Sequence, residues 1–238
     1  MSQTGRAIAG VAFLGIAAMI ATGWWWPSTA TADDEITEPV RFVEIDNDSG
    51  NVSVRADDVE TTTVHQRFRY HWNEPDTAFT VEDGTLELNG CGWQCDIDYE
   101  VVVPLGATVS GTANSGNIEL DGVSGVDVSA DSGHVTLSGV DGPIKADADS
   151  GNISGEDVSG PIEVQADSGN IELTLAEPGD ITARADSGTI ELVLPDVAYQ
   201  VSSQVDSGSE EIDVRTDPDS PYVLDLDADS GSIEVRTG

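Results

Sequence analysis

Residues 162–173 read Ile-Glu-Val-Gln-Ala-Asp-Ser-Gly-Asn-Ile-Glu-Leu, and segments 126–137, 144–155 and 181–192 repeat the same pattern. In each segment, apolar or small residues alternate with polar ones on both sides of a central Asp-Ser-Gly. Alternation with a period of two is typical of a β-strand that turns one face toward a core. The pattern therefore predicts two strands per repeat, with a corner at the Asp-Ser-Gly between them.

The Asp-Ser-Gly triplet recurs along the chain at a nearly constant interval. From Asn114-Ser115-Gly116 onward, successive copies are 17, 18, 18, 19, 20 and 23 residues apart. The acidic copies begin at Asp48, Asp131, Asp149, Asp167, Asp186, Asp206 and Asp229. A nearly fixed period indicates a repeat architecture, and a motif copied once per repeat is typical of scaffold. So many copies without a dedicated histidine partner argue against a serine-protease interpretation.

The interval and the strand pattern together predict an all-β, single-chain β-solenoid of stacked rungs of about 18 residues each. Equivalent strands of successive rungs would stack about 4.8 Å apart, so that apolar residues form continuous columns inside the coil. We expect the residues one, three and five positions before each triplet to point inward, as in Ala166, Val164 and Ile162. A sandwich of short strands is the alternative, but the regular phase of the repeats favours the solenoid.

The triplet has a structural explanation and a functional alternative. Its Asp or Asn side chain can bond a backbone amide two residues further on, and its Gly can adopt a positive φ without steric cost. Alternatively, carboxylates stacked at rung spacing are oxygen ligands of the kind that Ca²⁺ prefers. The candidate cation contacts are the corner residues Asp131, Asp149, Asp167, Asp186, Asp206 and Asp229. No metal site is firmly predicted.

The composition is strongly acidic. The 238 residues include 45 Asp and Glu against 9 Lys and Arg, for a formal net charge of −36. Such a chain cannot neutralise phosphates, which argues against nucleic acid as a partner and against an anionic membrane surface. Self-repulsion of this size destabilises a compact state unless salt screens it. The composition therefore predicts a protein from an extreme halophile.

Residues 1–32 are predicted to be a signal peptide or a membrane anchor, because an apolar run extends from Ala7 to Trp26. The small residues Ala30-Thr31-Ala32 resemble a cleavage site that would release a chain beginning at Asp33. The run is also long enough to span a bilayer, with three tryptophans at the membrane interface. Both interpretations stay open, and both place the acidic region outside the cytoplasm, either secreted or membrane-anchored.

Residues 33–110 are predicted to hold a first rung and an atypical β cap region. The alternation from Thr61 to Trp72 places large apolar side chains on one face: Val64, Phe68, Tyr70 and Trp72. The opposite face carries a cationic stripe: His65, Arg67, Arg69 and His71. Large apolar residues are expected in a terminal repeat that closes a coil. The alternative is that the cationic stripe contacts an anion or a glycan.

Cys91 and Cys95 lie in this cap region, between an alternating strand and an apolar run. The oxidising environment outside the cytoplasm favours a disulfide that closes the loop between them. A metal site would need further Cys or His ligands at suitable spacing, and the chain has only three His. We therefore predict a disulfide that stiffens this loop locally.

The chain also resembles a known family. Val101-Val102-Val103-Pro104-Leu105-Gly106-Ala107 is followed by Ala113-Asn114-Ser115-Gly116-Asn117-Ile118, by Val-x-Gly spacers and by repeated Ser-Gly-x-Ile rungs. The segment 45–52 matches the family's typical opening rung. In these features residues 40–238 resemble the "putative adhesin" domains of unknown function, also called toast-rack domains. The resemblance implies a β-solenoid at the cell envelope and carries over no catalytic residue.

Residues 111–238 are predicted to complete the repeated rungs of a non-enzymatic, extracellular, adhesin-like or structural module. A divalent-cation-binding surface protein is the alternative. No cofactor is expected, with Ca²⁺ at the corner aspartates as the one alternative. A polysaccharide-acting enzyme is less favoured, because glycoside hydrolysis needs two carboxylates with distinct pKa values and those in this sequence are undifferentiated. The expected partner is a component of the cell envelope or surface, with membrane contact only through the N-terminal segment.

Overall fold

A computed structural model describes residues 27–238, and all the regular secondary structure within that range is β-strand. In chain order the strands are β1 Ser28–Ile36, β2 Phe42–Ser49, β3 Val52–Asp57, β4 Thr62–Tyr70, β5 Phe79–Glu82, β6 Thr85–Asn89, β7 Cys95–Pro104, β8 Thr108–Ser115, β9 Ile118–Asp121, β10 Val126–Ser132, β11 Val135–Ser138, β12 Ile144–Ser150, β13 Ile153–Val158, β14 Ile162–Ser168, β15 Ile171–Leu175, β16 Ile181–Leu194, β17 Ala198–Asp213, β18 Arg215–Thr216 and β19 Val223–Thr237. The apolar run from Ala7 to Trp26, on which the anchor prediction depends, lies outside the described residues. Within residues 27–238, no helix is long and apolar enough to cross a bilayer.

Each rung consists of two strand segments that meet at the Ser-Gly corner. In the middle of the coil the segments are separate strands, such as β12 and β13, whereas β16, β17 and β19 run through the corner as single long strands. Equivalent segments of neighbouring rungs pair in parallel and in register, with Ile144 opposite Ile162 and Ile153 opposite Ile171. The predicted all-β solenoid is therefore confirmed.

The predicted inward columns form the core of the coil. Ala166, Val164 and Ile162 are buried, and so are the equivalent residues of the neighbouring rungs. A further buried column lies at or just beyond the end of each second strand segment, where the alternation did not reveal it: Val123, Val140, Val158, Leu175 and Leu194. The spacers also bond from rung to rung, as where the Ser159 amide donates to the Val140 carbonyl. Each rung thus contributes both its strands and its returning turn to the core.

The glycine of the triplet is required by the close approach of successive rungs. A Cβ atom added at Gly151 would overlap the carbonyl oxygen of Gly133 on the neighbouring rung, and one at Gly169 would overlap that of Gly151. A positive φ explains the glycine at some copies, such as Gly116, but not at Gly151 or Gly169. The sequence-based explanation of this glycine was therefore incomplete.

The rungs do not stack in chain order at either end of the coil. Along the first strand segments, the spatial order is β6, β2, β8, β10, β12, β14, β16, β19, β17. The last rung in the sequence, β19, is therefore inserted between β16 and β17. At the other end β2 and β3 lie between the rung of β8 and β9 and an outer rung of β6 and β7.

The N-terminal end carries antiparallel strands outside the parallel stack. Strand β4 pairs antiparallel with β7, β1 pairs antiparallel with β4, and β5 pairs antiparallel with β6. We call this the cap end, formed by β1 and β4–β7. The opposite end is the outer rung β17, which we call the polar end for reasons given below.

Candidate interaction surfaces

The corner aspartates form one exposed column along the coil. All six candidate cation contacts are exposed: Asp131, Asp149, Asp167, Asp186, Asp206 and Asp229. The serines that follow them pair in register, which aligns the corners of successive rungs. Because β19 is inserted, Asp229 follows Asp186 in space and Asp206 ends the column. The structure therefore brings these residues together in a different order from the sequence.

The corner column supplies one carboxylate per rung. Ca²⁺ takes about six to eight oxygen ligands, so a site here would need oxygens from several rungs or from water. Within residues 27–238, no group of three or more His, Cys, Asp or Glu side chains is arranged to hold a metal ion. The six corner aspartates therefore form an exposed acidic edge along the coil.

A second ladder runs beside the corner column, built by the residue that follows each triplet. The Oδ1 atom of Asn117 accepts a hydrogen bond from the His134 amide at 2.9 Å, and that of Asn152 accepts one from the Asn170 amide at 2.8 Å. His134 continues the ladder, because its Nδ1 accepts from the Asn152 amide at 3.0 Å. Sequence reasoning missed this ladder, although a recurring Asn after the glycine was a visible signal.

The ladder corrects the explanation given for the triplet's acidic residue. Sequence reasoning assigned the backbone hydrogen bond to the Asp, but within residues 27–238 no corner Asp side chain accepts a bond from a backbone amide of its own triplet. The side-chain-to-backbone bond comes from the next polar residue and reaches across rungs instead. The corner carboxylates are consequently left facing solvent.

The cationic stripe on β4 is largely neutralised by neighbouring strands. Arg67 pairs with Asp98 of β7 at 3.1 Å, and Arg69 pairs with Asp96 at 3.7 Å. His65 lies with its Nδ1 2.6 Å from an oxygen of Asp33 on β1. His71 lies beyond the end of β4, in a recess described below. An anion at this stripe would therefore compete with carboxylates already in place.

Large side chains close the core at the cap end, as expected for a terminal repeat. Phe68, Phe79 and Tyr99 are buried there. The Tyr99 hydroxyl lies 2.7 Å from the carbonyl oxygen of Asn89 and 2.8 Å from that of Ala78, and burial raises the pKa of Tyr99. Trp72 does not share this role, because it follows the end of β4 and its side chain is 75% exposed. The prediction that Trp72 shares the buried face was wrong.

The loop between β6 and β7 contains a disulfide and an exposed tryptophan. Cys91 and Cys95 are bonded to each other, with their Cα atoms 5.6 Å apart. The enclosed Trp93 is 88% exposed. Its neighbour Gln94 accepts a hydrogen bond from Nε1 of Trp72 at 2.6 Å. The two exposed tryptophans therefore belong to one surface at the cap end.

A recess of about 420 Å³ lies beside these tryptophans. We call it the entry recess, and it is lined by Pro27, Arg69, His71, Gln94 and Asp96. A larger, shallow groove of about 540 Å³ runs along the first strand segments and includes Asp127, Lys145 and Glu163. Next to Lys145 on the same strand, burial raises the pKa of Asp147, while the Lys145 ammonium opposes that shift.

The polar end carries polar residues at positions that are apolar inside the coil. In the register with β19, Ser203 stands opposite Leu226 and Glu210 stands opposite Ile233. The Ser203 hydroxyl donates a hydrogen bond of 2.7 Å to a carboxylate oxygen of Glu210. An inward-pointing charge of this kind discourages another strand from adding to a sheet edge.

The whole repeat region matches the sequence model of a known protein family. The sequence model of a family described as Toastrack DUF4097 matches residues 37–236. The chain belongs to this family. Among curated proteins, none matches it.

Two solved structures align with this toast-rack domain at low identity. A putative adhesin from Bacteroides fragilis is 12% identical and has a TM-score of 0.45, over 89% of this chain and 97% of that chain. A putative cell adhesion protein from Clostridium sporogenes is 10% identical and has a TM-score of 0.39, over 89% of this chain and 100% of that chain.

Proposed function

We propose that this toast-rack domain is a non-enzymatic, membrane-anchored module of the outer cell envelope that presents its acidic edge to surface components. The observation that carries the anchoring is the position of β1. That strand begins at Ser28 and pairs with β4 along its whole length, from Ser28 opposite Tyr70 to Ile36 opposite Thr62. Cleavage after Ala32 would remove the first five residues of this strand, including the buried Ala30.

The distribution of carboxylates supports binding over catalysis. A glycoside hydrolase needs two carboxyl groups at a defined separation with pKa values pushed apart. Asp34 and Asp147 are the carboxyl groups of the described chain with a raised pKa, chiefly through burial. They lie on β1 and β12, which do not pair. A long acidic edge of exposed, equivalent groups is better suited to an extended contact with a basic or cation-bridged surface.

The acidic exterior also supports a high-salt setting for this module. Like charges repeated at rung spacing repel each other, and at molar salt the Debye length shrinks to about 3 Å. We therefore expect the melting temperature to fall when NaCl is reduced from molar to millimolar concentration. A melting temperature independent of salt would contradict the halophilic assignment.

The anchoring is tested by mass spectrometry of the native N-terminus, together with fractionation of cells that express the full chain with a C-terminal tag. We expect a mature chain that retains residues before Ser28, in the membrane fraction, with a tag that external protease removes from intact cells. A mature N-terminus at Asp33 with the protein in the medium would overturn the anchoring.

The contact surface is tested with the corner column. A triple variant Asp149→Asn, Asp167→Asn and Asp186→Asn is compared with a matched triple variant of exposed carboxylates on the second strand segments, Glu119→Gln, Glu156→Gln and Glu172→Gln. We expect only the corner variant to weaken binding to purified envelope material at molar NaCl. An equal loss of binding in both variants would show that binding depends on net charge and not on the corner column. Calorimetry with Ca²⁺ at the same salt shows whether the contact is bridged: saturable heat that the corner variant abolishes indicates specific sites.

A further inference from the structure

Both tryptophans within residues 27–238 lie at the cap end, where the described chain begins. Trp24, Trp25 and Trp26 directly precede Pro27 in the sequence. The other two, Trp72 and Trp93, lie on loops of the cap end and are 75% and 88% exposed. A single exposed apolar residue is ordinary, but two large ones on neighbouring loops form an exposed apolar patch of the kind that marks an interaction site.

The chain enters the fold beside these two exposed tryptophans. Pro27 lines the entry recess together with Arg69, His71 and Gln94. Ser28 then pairs with Tyr70, only two residues before Trp72. The bond from Trp72 Nε1 to Gln94 holds the β4–β5 loop against the β6–β7 loop that carries Trp93. The apolar run therefore leads into the domain at the point where both aromatic side chains emerge.

Tryptophan combines an apolar ring with a polar N–H group and is enriched where membrane meets water. The entry recess adds both signs of charge beside the two rings, through Arg69 and Asp96. Polar groups of both signs can contact lipid head groups while the rings enter the interfacial layer. The rungs from β2 to β17 stack away from this end, so the corner aspartates from Asp131 to Asp206 lie progressively farther from it.

We propose that the cap end rests on a lipid bilayer, with Trp72 and Trp93 inserted in its interfacial layer and the Cys91–Cys95 disulfide holding Trp93 in position. The inference deepens the proposed anchoring and rests on it. It adds a second membrane contact made by the folded domain itself, so that the coil stands with its polar end away from the surface.

The test uses the full chain reconstituted into phosphatidylcholine vesicles at molar NaCl. In a variant with Trp24→Phe, Trp25→Phe and Trp26→Phe, the remaining fluorescent tryptophans are Trp72 and Trp93. Lipids that carry bromine near the carbonyl end of their acyl chains quench tryptophan at interfacial depth. We expect emission to fall about twofold, because interfacial side chains reach the boundary between head groups and acyl chains.

The matched control moves the fluorophore to the opposite end of the coil. It adds Trp72→Phe, Trp93→Phe and Asp206→Trp to the same background, and its emission should be unaffected by brominated lipid. Quenching of both proteins would mean that the coil lies flat, and it would overturn the proposal. Quenching of neither, with the protein retained in the vesicles, overturns the proposal and leaves the anchoring intact.

Two further outcomes separate the remaining explanations. If Trp72 and Trp93 are shielded from acrylamide but insensitive to brominated lipid, another part of the protein covers them and the membrane contact is refuted. If the protein fails to remain with the vesicles, both the anchoring and this inference are refuted. Because both side chains are exposed, their replacement by Phe should lower the melting temperature only slightly, through the loss of the exposed Trp72–Gln94 hydrogen bond.

Discussion

The two ends of the coil complete the same core in opposite ways. At the cap end, antiparallel strands cover the last parallel rung, and Phe68, Phe79 and Tyr99 close the core. At the polar end, within the described chain, the one strand besides β19 that pairs with β17 is the two-residue β18, so most of the outer rung is left uncovered. Ser203 and Glu210 there replace the apolar residues of the interior columns. A repeat stack needs distinct terminal units, and this molecule shows that one end can be covered while the other is made polar.

The strongest test of this comparison exchanges residues within one inward column. Leu226 of the inserted strand β19 is buried, whereas the equivalent Ser203 of β17 is half-exposed. We expect Leu226→Ser to cost about 4 kcal/mol, since it leaves a cavity and buries a hydroxyl. The reverse change, Ser203→Leu, should alter stability by less than about 1 kcal/mol. Denaturant unfolding at molar NaCl measures both, and similar losses would show that β19 is not an interior rung.

A second prediction compares a buried tyrosine at each end. The hydroxyl of Tyr99 lies within hydrogen-bond distance of two carbonyl oxygens, whereas that of Tyr199 reaches only the Pro195 carbonyl, at 3.1 Å. We expect Tyr99→Phe to destabilise by about 2 kcal/mol and Tyr199→Phe by about 1 kcal/mol, because buried carbonyls lose a donor. Denaturant unfolding of the two variants and of the wild type measures both losses of unfolding free energy. A larger loss at Tyr199 would contradict the expectation that the two carbonyl partners make Tyr99 the more important of the two hydroxyl groups.

A third prediction concerns self-association at the polar end. Glu210 occupies the inward Ile column, while the adjacent Glu211 stands opposite the outward Glu234. Glu210→Ile should extend the apolar core to the outer rung and cause concentration-dependent association. The reason is that the variant lacks the charge that disfavours pairing of another strand with this sheet edge. Sedimentation velocity at molar NaCl should show larger species for Glu210→Ile alone. If Glu211→Ile associates to the same degree, the association results from the loss of a charge and not from the inward position of Glu210.

The smallest expected effect tests a buried carboxylate at the cap end. Burial and the neighbouring Asp33 raise the pKa of Asp34, while a hydrogen bond from Gln66 opposes the shift. A carboxyl group with a raised folded-state pKa favours folding while it is protonated, and that contribution is lost as the pH rises through the folded-state value. Asp34→Asn should therefore raise the melting temperature at neutral pH by up to about 4 °C.

This advantage of Asp34→Asn should disappear in acid, below the usual aspartate pKa of about 3.9, where the wild-type carboxyl is protonated in both states. The control at the other end is the exposed Asp213. Because that side chain is exposed, Asp213→Asn should leave the melting temperature at neutral pH unchanged. A constant difference between wild type and Asp34→Asn across the titration would contradict the pKa argument.

Most of the repeat could be predicted because its signals are local. Alternation around Asp167 or Asp149 specifies which side chains point inward, and the structure confirms those columns. The ladder through Asn117 and Asn152 was not predicted, because each of its bonds joins two rungs and depends on how the rungs stack. The exposure of Trp72 was not predictable from alternation, because period-two patterning does not reveal where a strand ends.

The sequence by itself determined the rung: its length, its two strand segments, its inward columns and its corner. Only the tertiary structure decided the order of the rungs at the ends, with β19 inside β17 and the rung of β2 and β3 inside that of β6 and β7. The physical reason is that most rungs offer similar apolar columns and the same kind of backbone edge, so many stacking orders satisfy the local pattern. The choice among these orders depends on which outer rung is covered by other strands and which has inward side chains that can contact water. Both conditions depend on the whole coil and not on one rung.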